Sequence, residues 1–255
     1  VGSEMCIRDS DILGTAENKY PSLTGYIGEP TINIAIMLLI IVGGIGFLTW
    51  DDIYTNKWHF KKYRMQSKVI LVTTAILIIA PAVFFFFCDF TGLPLAERIL
   101  ASLFQSVTPR TAGFNTADLP AMTGSSKAIM ILLMLVGGSP GSTAGGMKTT
   151  TLAVLILSAF SVCRKKDDAE VCGRRIDGSA VKNAAAVAVM YFLLFFVGGI
   201  VISTAEGLPL STCLYETASA VGTVGLTLGI TPQLGVLSQL ILIVLMYLGR
   251  VGGLT

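Results

Sequence analysis

The sequence predicts an all-α membrane protein built from repeated units, each an outer apolar helix, a short helix, a glycine segment and an inner apolar helix. Composition gives the first reason: of 255 residues, 53% are hydrophobic, 13% are charged and 27 are glycine, with a mean hydropathy of +0.74. Soluble domains rarely have that balance, whereas bundles of membrane helices do. The second reason is a set of long apolar runs divided by two basic stretches. The third is an internal repeat: Thr111-Ala112-Gly113-Phe114-Asn115 returns 112 positions later as Thr223-Val224-Gly225-Leu226-Thr227. Pro120 and Met134-Leu135-Val136-Gly137 return at the same offset as Pro232 and Met246-Tyr247-Leu248-Gly249. Gly92-Leu93-Pro94-Leu95 returns as Gly207-Leu208-Pro209-Leu210 at an offset of 115, so a three-residue gap separates the two registers.

In chain order, residues 1–10 fit nothing that follows and read as a non-native scar. Residues 11–30, with Pro21, Gly25, Gly28 and Pro30, read as an exposed loop. Ile32 to Trp50 is a run long enough for one span, given that a bilayer core takes roughly 20 residues. Lys57, Lys61, Lys62, Arg64 and Lys68 outweigh Asp51 and Asp52 in the stretch 51–68, which places it on the cytoplasmic side. His59, the only histidine, reads there as a solvated loop residue. Val69 to Cys88 runs back outward, with Pro81 tolerated as a kink.

Leu95 to Thr108 is too short to cross. Followed by a glycine segment, it reads as a re-entrant helix whose negative dipole end faces the membrane interior; an amphipathic surface helix is the alternative. Ser126 to Cys163 is too long for one straight span. It is interrupted by Gly137, Gly138, Ser139, Pro140, Gly141, Ser142, Thr143, Ala144, Gly145, Gly146, Met147 and Lys148, a run that cannot sustain a helix. Backbone freed at membrane depth must be buried in protein or line water. The run therefore reads as a flexible constriction, with a plain break between two packed half-helices as the alternative. Its Walker-like glycine spacing carries nothing, because Met147 stands where a lysine should follow and no strand precedes it.

Residues 164–182 are again net basic and therefore cytoplasmic. Val181 to Ala205 is the next outward span, Leu210 to Val221 the second short helix, Gly222 to Thr227 the second glycine segment, and Gln233 to Thr255 an inward span. Arg250 stands in that last span, where a charge costs on the order of 2.5–3.5 kcal/mol. It lies either below the glycine segment or snorkelling at the interface, and Lys148 offers the same two readings.

A Thr-x-Gly segment in such a setting has a physical use. Successive carbonyl oxygens aimed at one axis replace the water around a potassium ion, and glycine supplies the unusual φ that this requires. The candidate ion-binding residues are Thr111, Ala112, Gly113 and Phe114 with Thr223, Val224, Gly225 and Leu226. The candidate gate is the run from Gly137 to Gly146 with Lys148 and Arg250. No nucleophile–base pair or paired carboxylates occur in the spans, so the sequence does not read as an enzyme. The net charge of +2 is too small to suggest nucleic acid. Cys6, Cys88, Cys163, Cys172 and Cys213 show no metal-ligand spacing.

The paired short-helix and Thr-x-Gly segments, the Gly-Gly-Ser-Pro-Gly-Ser-Thr-Ala-Gly-Gly-Met-Lys break and the late Arg250 resemble the Trk/Ktr/HKT superfamily of potassium transporters. Gln105-Ser106-Val107-Thr108 before Thr111 is similar to the bacterial Ktr-type ion-translocating subunit. The resemblance implies a potassium-channel-like fold of four units around one pore. Residues 11–68 would end the second unit (inner helix 32–50), residues 69–180 form the third and residues 181–255 the fourth. Gly113 and Gly225 would be the third and fourth filter glycines, and Arg250 the pore arginine. The first unit and most of the second would be missing and the fourth inner helix cut short, making the chain a fragment.

The resemblance further implies potassium uptake across a bacterial plasma membrane, with K+ as the transported ion and no covalently bound cofactor. It implies cytoplasmic nucleotide-binding regulatory subunits and a membrane homodimer as partners. Two alternatives remain at this level: a sodium-selective or non-selective member of the same superfamily, and a secondary transporter with broken helices and a midplane site.

Overall fold

The computed structural model describes residues 22–23, 26–57, 59–165, 170–171 and 174–251. The expected scar, most of the loop 11–30 and the end of the last span lie outside the described residues. The described chain is helical apart from one antiparallel pair of two-residue strands, Glu170–Val171 and Arg174–Arg175, between α6 and α7. Its helices are α1 (Pro30–Ile45), α2 (Phe47–Asn56), α3 (Met65–Cys88), α4 (Leu95–Val107), α5 (Gly124–Leu135), α6 (Thr149–Cys163), α7 (Gly178–Glu206), α8 (Leu210–Val221) and α9 (Val236–Val251).

Helices α3 and α7, of 24 and 29 residues, are long and apolar enough to cross a membrane. At 1.5 Å per residue α3 alone reaches about 36 Å, against a hydrocarbon core of about 30 Å. Val72, Ile76 and Val83 on α3, and Val189, Phe192 and Val197 on α7, are exposed, as lipid-facing side chains must be. Pro81 sits inside α3 without ending it. At the start of α7, Asp177 caps the helix by accepting from the Ser179 amide. The hydroxyl of Ser179, above all, holds the Asp177 carboxyl below its ordinary range.

The run Ile32 to Trp50 is not one straight span. Helices α1 and α2 meet at 97°, with Gly46 at φ +88° between them. A Cβ at Gly46 would stand 2.5 Å from the carbonyl oxygen of Pro140, so the chain turns where only glycine fits against the glycine-rich loop. The charged stretch after it is also more ordered than a loop, since α2 continues to Asn56. Asp52 is buried there and accepts from the Arg64 amide at 3.1 Å and the Ser67 hydroxyl at 2.5 Å. The Arg64 guanidinium stands 3.4 Å away, fixing α2 to the start of α3. His59 is exposed.

The two short helices sit at the centre. Seven consecutive residues of α8, Tyr215 to Val221, are buried, as are Phe104 to Val107 at the end of α4. Helix α3 packs on α4, and α7 and α9 pack on α8. Helix α1 packs on α4 as α5 packs on α8, so each short helix receives the first half of the broken apolar stretch that precedes its own outer span. Arg98 secures α4 to α3: its Nε donates to the Phe86 carbonyl at 2.8 Å, and the guanidinium lies 4.1 Å from the Phe86 ring centre. The main core, including Phe85, Met130, Met134, Tyr215 and Val224, joins α3, α5 and α8 to the second glycine segment.

Candidate functional site

The two Thr-x-Gly segments follow α4 and α8 directly and adopt one backbone form. Thr111 has φ +64° and Gly113 φ +76°; Thr223 has φ +53° and Gly225 φ +94°. The residues between and after them have negative φ, so φ alternates in sign from 111 to 114 and from 223 to 226. In a strand, successive carbonyls point to opposite sides; alternation between left- and right-handed conformations turns them to the same side. A threonine in the left-handed region costs on the order of 1–3 kcal/mol and persists only where its surroundings impose it.

Those surroundings are visible in the hydrogen bonds. The amides of Thr223, Val224 and Gly225 are tied back to α8, to the Ala220 carbonyl at 3.0 Å, the Ser219 carbonyl at 2.9 Å and the Ser219 hydroxyl at 3.1 Å. The Ala112 amide reaches back to the Thr108 carbonyl at 3.3 Å. With the amides of 223–225 engaged on one side, the alternation of φ turns the carbonyls of that segment toward the other. Among the described residues, no donor reaches the carbonyls of Thr111, Ala112 and Gly113, or those of Thr223, Val224, Gly225 and Leu226. Phe114 departs from the expected set, because the Thr108 hydroxyl donates to its carbonyl. Gly222 departs as well: at φ −72° it closes α8 as its C-cap. A Cβ on Gly113 would strike the Val224 carbonyl oxygen, so the two segments abut.

Above them opens a basin of about 880 Å³, lined in part by Asp89, Gly113, Asn115, Asp118, Gly225 and Thr227. Ser22 corrects the reading of residues 11–30 as merely exposed: it is buried, and its hydroxyl accepts from the Asn115 amide at 2.9 Å.

Beneath them lies the loop between α5 and α6. Gly137 donates to the Met147 carbonyl at 2.8 Å and Met147 to the Leu135 carbonyl at 3.3 Å, pinching the loop at its neck. Its far end meets the bend at Gly46, where the Phe47 amide donates to Gly141 at 3.3 Å, and the Ser139 amide donates to Gly44 at 2.9 Å. Gly145 stands against the Thr223 side chain so closely that a Cβ would strike its hydroxyl oxygen. Two cations hold adjacent carbonyls of this loop: Lys148 Nζ donates to Ala144 at 2.7 Å, and Arg250 Nη1 donates to Thr143 at 2.7 Å. Arg250 is thus engaged with the loop rather than extended alone into the interface. The structure brings together Gly137 to Gly146, Lys148, Arg250 and the lower end of the second segment.

Three polar residues here escaped sequence reasoning. Arg110, 3% exposed, precedes Thr111; its Nη2 lies 3.4 Å from the Thr74 hydroxyl, and its Nε and Nη1 have no partner among the described residues. Tyr191 of α7 is buried and donates to the Gly249 carbonyl at 2.8 Å. Glu216 lies inside the apolar helix α8, 3% exposed. The signal for Glu216 was present, since an acid within an apolar segment at membrane depth marks function by default.

Comparison with known proteins bears on this arrangement. The model of the TrkH family, described as cation transport protein, matches residues 18–255. The chain belongs to that family. It is 40% identical to the potassium/sodium uptake protein NtpJ of Enterococcus hirae, over 99% of this chain and 56% of that one. It is 36% identical to Ktr system potassium uptake protein B of Bacillus subtilis, over 92% of this chain and 54% of that one. The chain therefore spans about half the length of the curated relatives it matches. The crystal structure of the potassium transporter TrkH from Vibrio parahaemolyticus superposes with a TM-score of 0.74 at 18% identity, over 98% of this chain and 55% of that one. The TrkH fold, with its short buried helices, is thus the fold of this chain. Among the described residues no cluster of His, Cys, Asp and Glu could hold a metal ion, and Cys88, Cys163 and Cys213 are free.

Proposed function

We propose that this chain forms part of a potassium uptake pore in a bacterial plasma membrane, with the two Thr-x-Gly segments as filter walls and the α5–α6 loop as its gate. One observation carries the reading: two segments 112 positions apart share the same alternation of φ, and among the described residues no donor reaches the carbonyls of 111–113 and 223–226. Buried carbonyls without donors are costly, and a dehydrated cation is the partner that such a row of oxygens fits. Potassium enters the basin, sheds water against the carbonyls of 111–113 and 223–226, and meets the loop below.

Lys148 and Arg250 belong to the gate in this reading. Their positive charge faces the path while they hold the Thr143 and Ala144 carbonyls, so opening requires the loop to leave them. The units 69–180 and 181–255 are the third and fourth of four around the pore, and residues 11–68 end the second. The basic stretches 51–68 and 164–182 lie on the cytoplasmic side, available to nucleotide-binding regulatory subunits, and the complete protein pairs in the membrane. A sodium-conducting variant of the same pore is the second reading, favoured by 40% identity to a protein named for both potassium and sodium uptake.

The test is rubidium uptake into a bacterium lacking its own potassium uptake and expressing the complete coding sequence. Gly113→Asp should abolish uptake, and deletion of residues 139–145 should raise it. No uptake of rubidium, potassium or sodium by the wild type would sink the pore reading and return the broken helix to the transporter alternative.

A further inference from the structure

The two segments are repeated in sequence and in backbone, yet their outer ends are held by different means. In both, the residue after the filter makes the same small turn: Asn115 Oδ1 accepts from the Ala117 amide at 3.1 Å, and Thr227 Oγ1 accepts from the Gly229 amide at 2.9 Å. Beyond that the symmetry ends. The first turn leans on the loop upstream of α1, with the Asn115 amide donating to the Ser22 hydroxyl and the Leu23 amide donating to the Asn115 carbonyl at 2.8 Å. The second turn leans on a single side chain of its own short helix, Glu216.

Glu216 is positioned for that task. Its Oε1 accepts from the Thr227 hydroxyl at 2.7 Å and the Leu228 amide at 2.9 Å, and its Oε2 accepts from the Thr231 hydroxyl at 2.8 Å. One carboxyl group thereby collects three donors from residues 227–231. It also borders a small void of about 10 Å³ together with Ser219 and Gly225. The two repeat offsets, 112 and 115, match Glu216 to Phe104, which packs in an apolar cluster with Met37 and Val107, or to Ala101, and neither is an acid. The acid is therefore a property of one wall and not of the repeat.

We infer that Glu216 is a positioning residue for ion discrimination: by fixing the 227–231 turn it sets how far apart the carbonyls of 223–226 stand, without touching the ion itself. Carbonyls free to close in would coordinate the smaller sodium ion, so the restraint favours potassium. This rests on the pore reading above.

The experiment measures rubidium uptake by the complete protein against competing sodium. Glu216→Gln keeps the shape but turns an amide NH2 toward one of the groups that donate to the carboxyl. The sodium concentration that halves uptake is expected to fall about tenfold, since bonds to a charged group are among the stronger ones. Thr231→Val removes one donor, leaves the acid in place, and is expected to shift the same ratio less far. Wild-type ratios in both variants overturn the inference. Should Glu216→Gln not reach the membrane, Thr231→Val decides alone: a lowered ratio supports the inference and an unchanged one overturns it. Absence of uptake in the wild type defeats the pore reading itself, a result separate from either variant.

Discussion

Arg250 Nη1 donates to the carbonyl oxygen of Thr143 at 2.7 Å, joining residues 107 positions apart across the α5–α6 loop. Because Lys148 takes the next carbonyl, that of Ala144, the loop is restrained from two elements at once, its own exit into α6 and the end of α9.

Removing one restraint should loosen the loop. Arg250→Ala deletes a charge-assisted hydrogen bond, a loss of about 1.5–3 kcal/mol, and, in the proposed pore, a positive charge beside the ion's route. Rubidium uptake in the complete protein is expected to rise by about fivefold or more. Equal or lower uptake at equal membrane abundance would count against the gate.

Gly113, Gly225 and the outlying Gly229 separate strain from function. Gly113→Ala and Gly225→Ala each place a Cβ in the left-handed region, and at Gly113 also against the Val224 oxygen. Uptake is expected to fall more than tenfold, with a stability loss of about 1–3 kcal/mol each. Gly229 has φ +90° but open space around its Cβ position. Gly229→Ala should therefore lower thermal stability while leaving most of the uptake, measured in the same cells.

Asp52 supplies a structural control. Its side chain gathers the Arg64 amide, the Ser67 hydroxyl and the Arg64 guanidinium, and none of these contacts involves the two segments. Asp52→Ala should lower the Tm in detergent, at a cost of about 1–3 kcal/mol, with uptake per molecule unchanged. Loss of uptake at full abundance would tie the α1–α2 bend to transport.

The architecture was legible because lipid imposes simple rules: long apolar runs, basic stretches between them and a duplicated pattern leave few folds to choose from. The bend at Gly46 was not legible, since its cause is the Pro140 carbonyl, nearly a hundred residues away in sequence and adjacent only after folding. The Thr-x-Gly segments announced themselves by repetition. Their alternating φ did not, because threonine ordinarily avoids that region and only the bonds back to α4 and α8 impose it. Phe114 was read as an ion ligand from its place in the motif; the Thr108 hydroxyl that occupies its carbonyl has no counterpart at Ala220 in the second copy. Glu216 was overlooked because reasoning from the repeat favours what the copies share, and this acid is where they differ.

The sign of φ at 111, 113, 223 and 225 has a consequence for chirality. Those four positions call for the hand that L-residues disfavour and their mirror images adopt without strain. Two are filled by the achiral residue and two by L-threonine. A chain assembled chemically with D-alanine at 113 and 225 would place each methyl where the glycine's other hydrogen now sits, away from the site an L-methyl would take. There the backbone has the geometry of a heterochiral polymer, written in an alphabet with only one achiral letter.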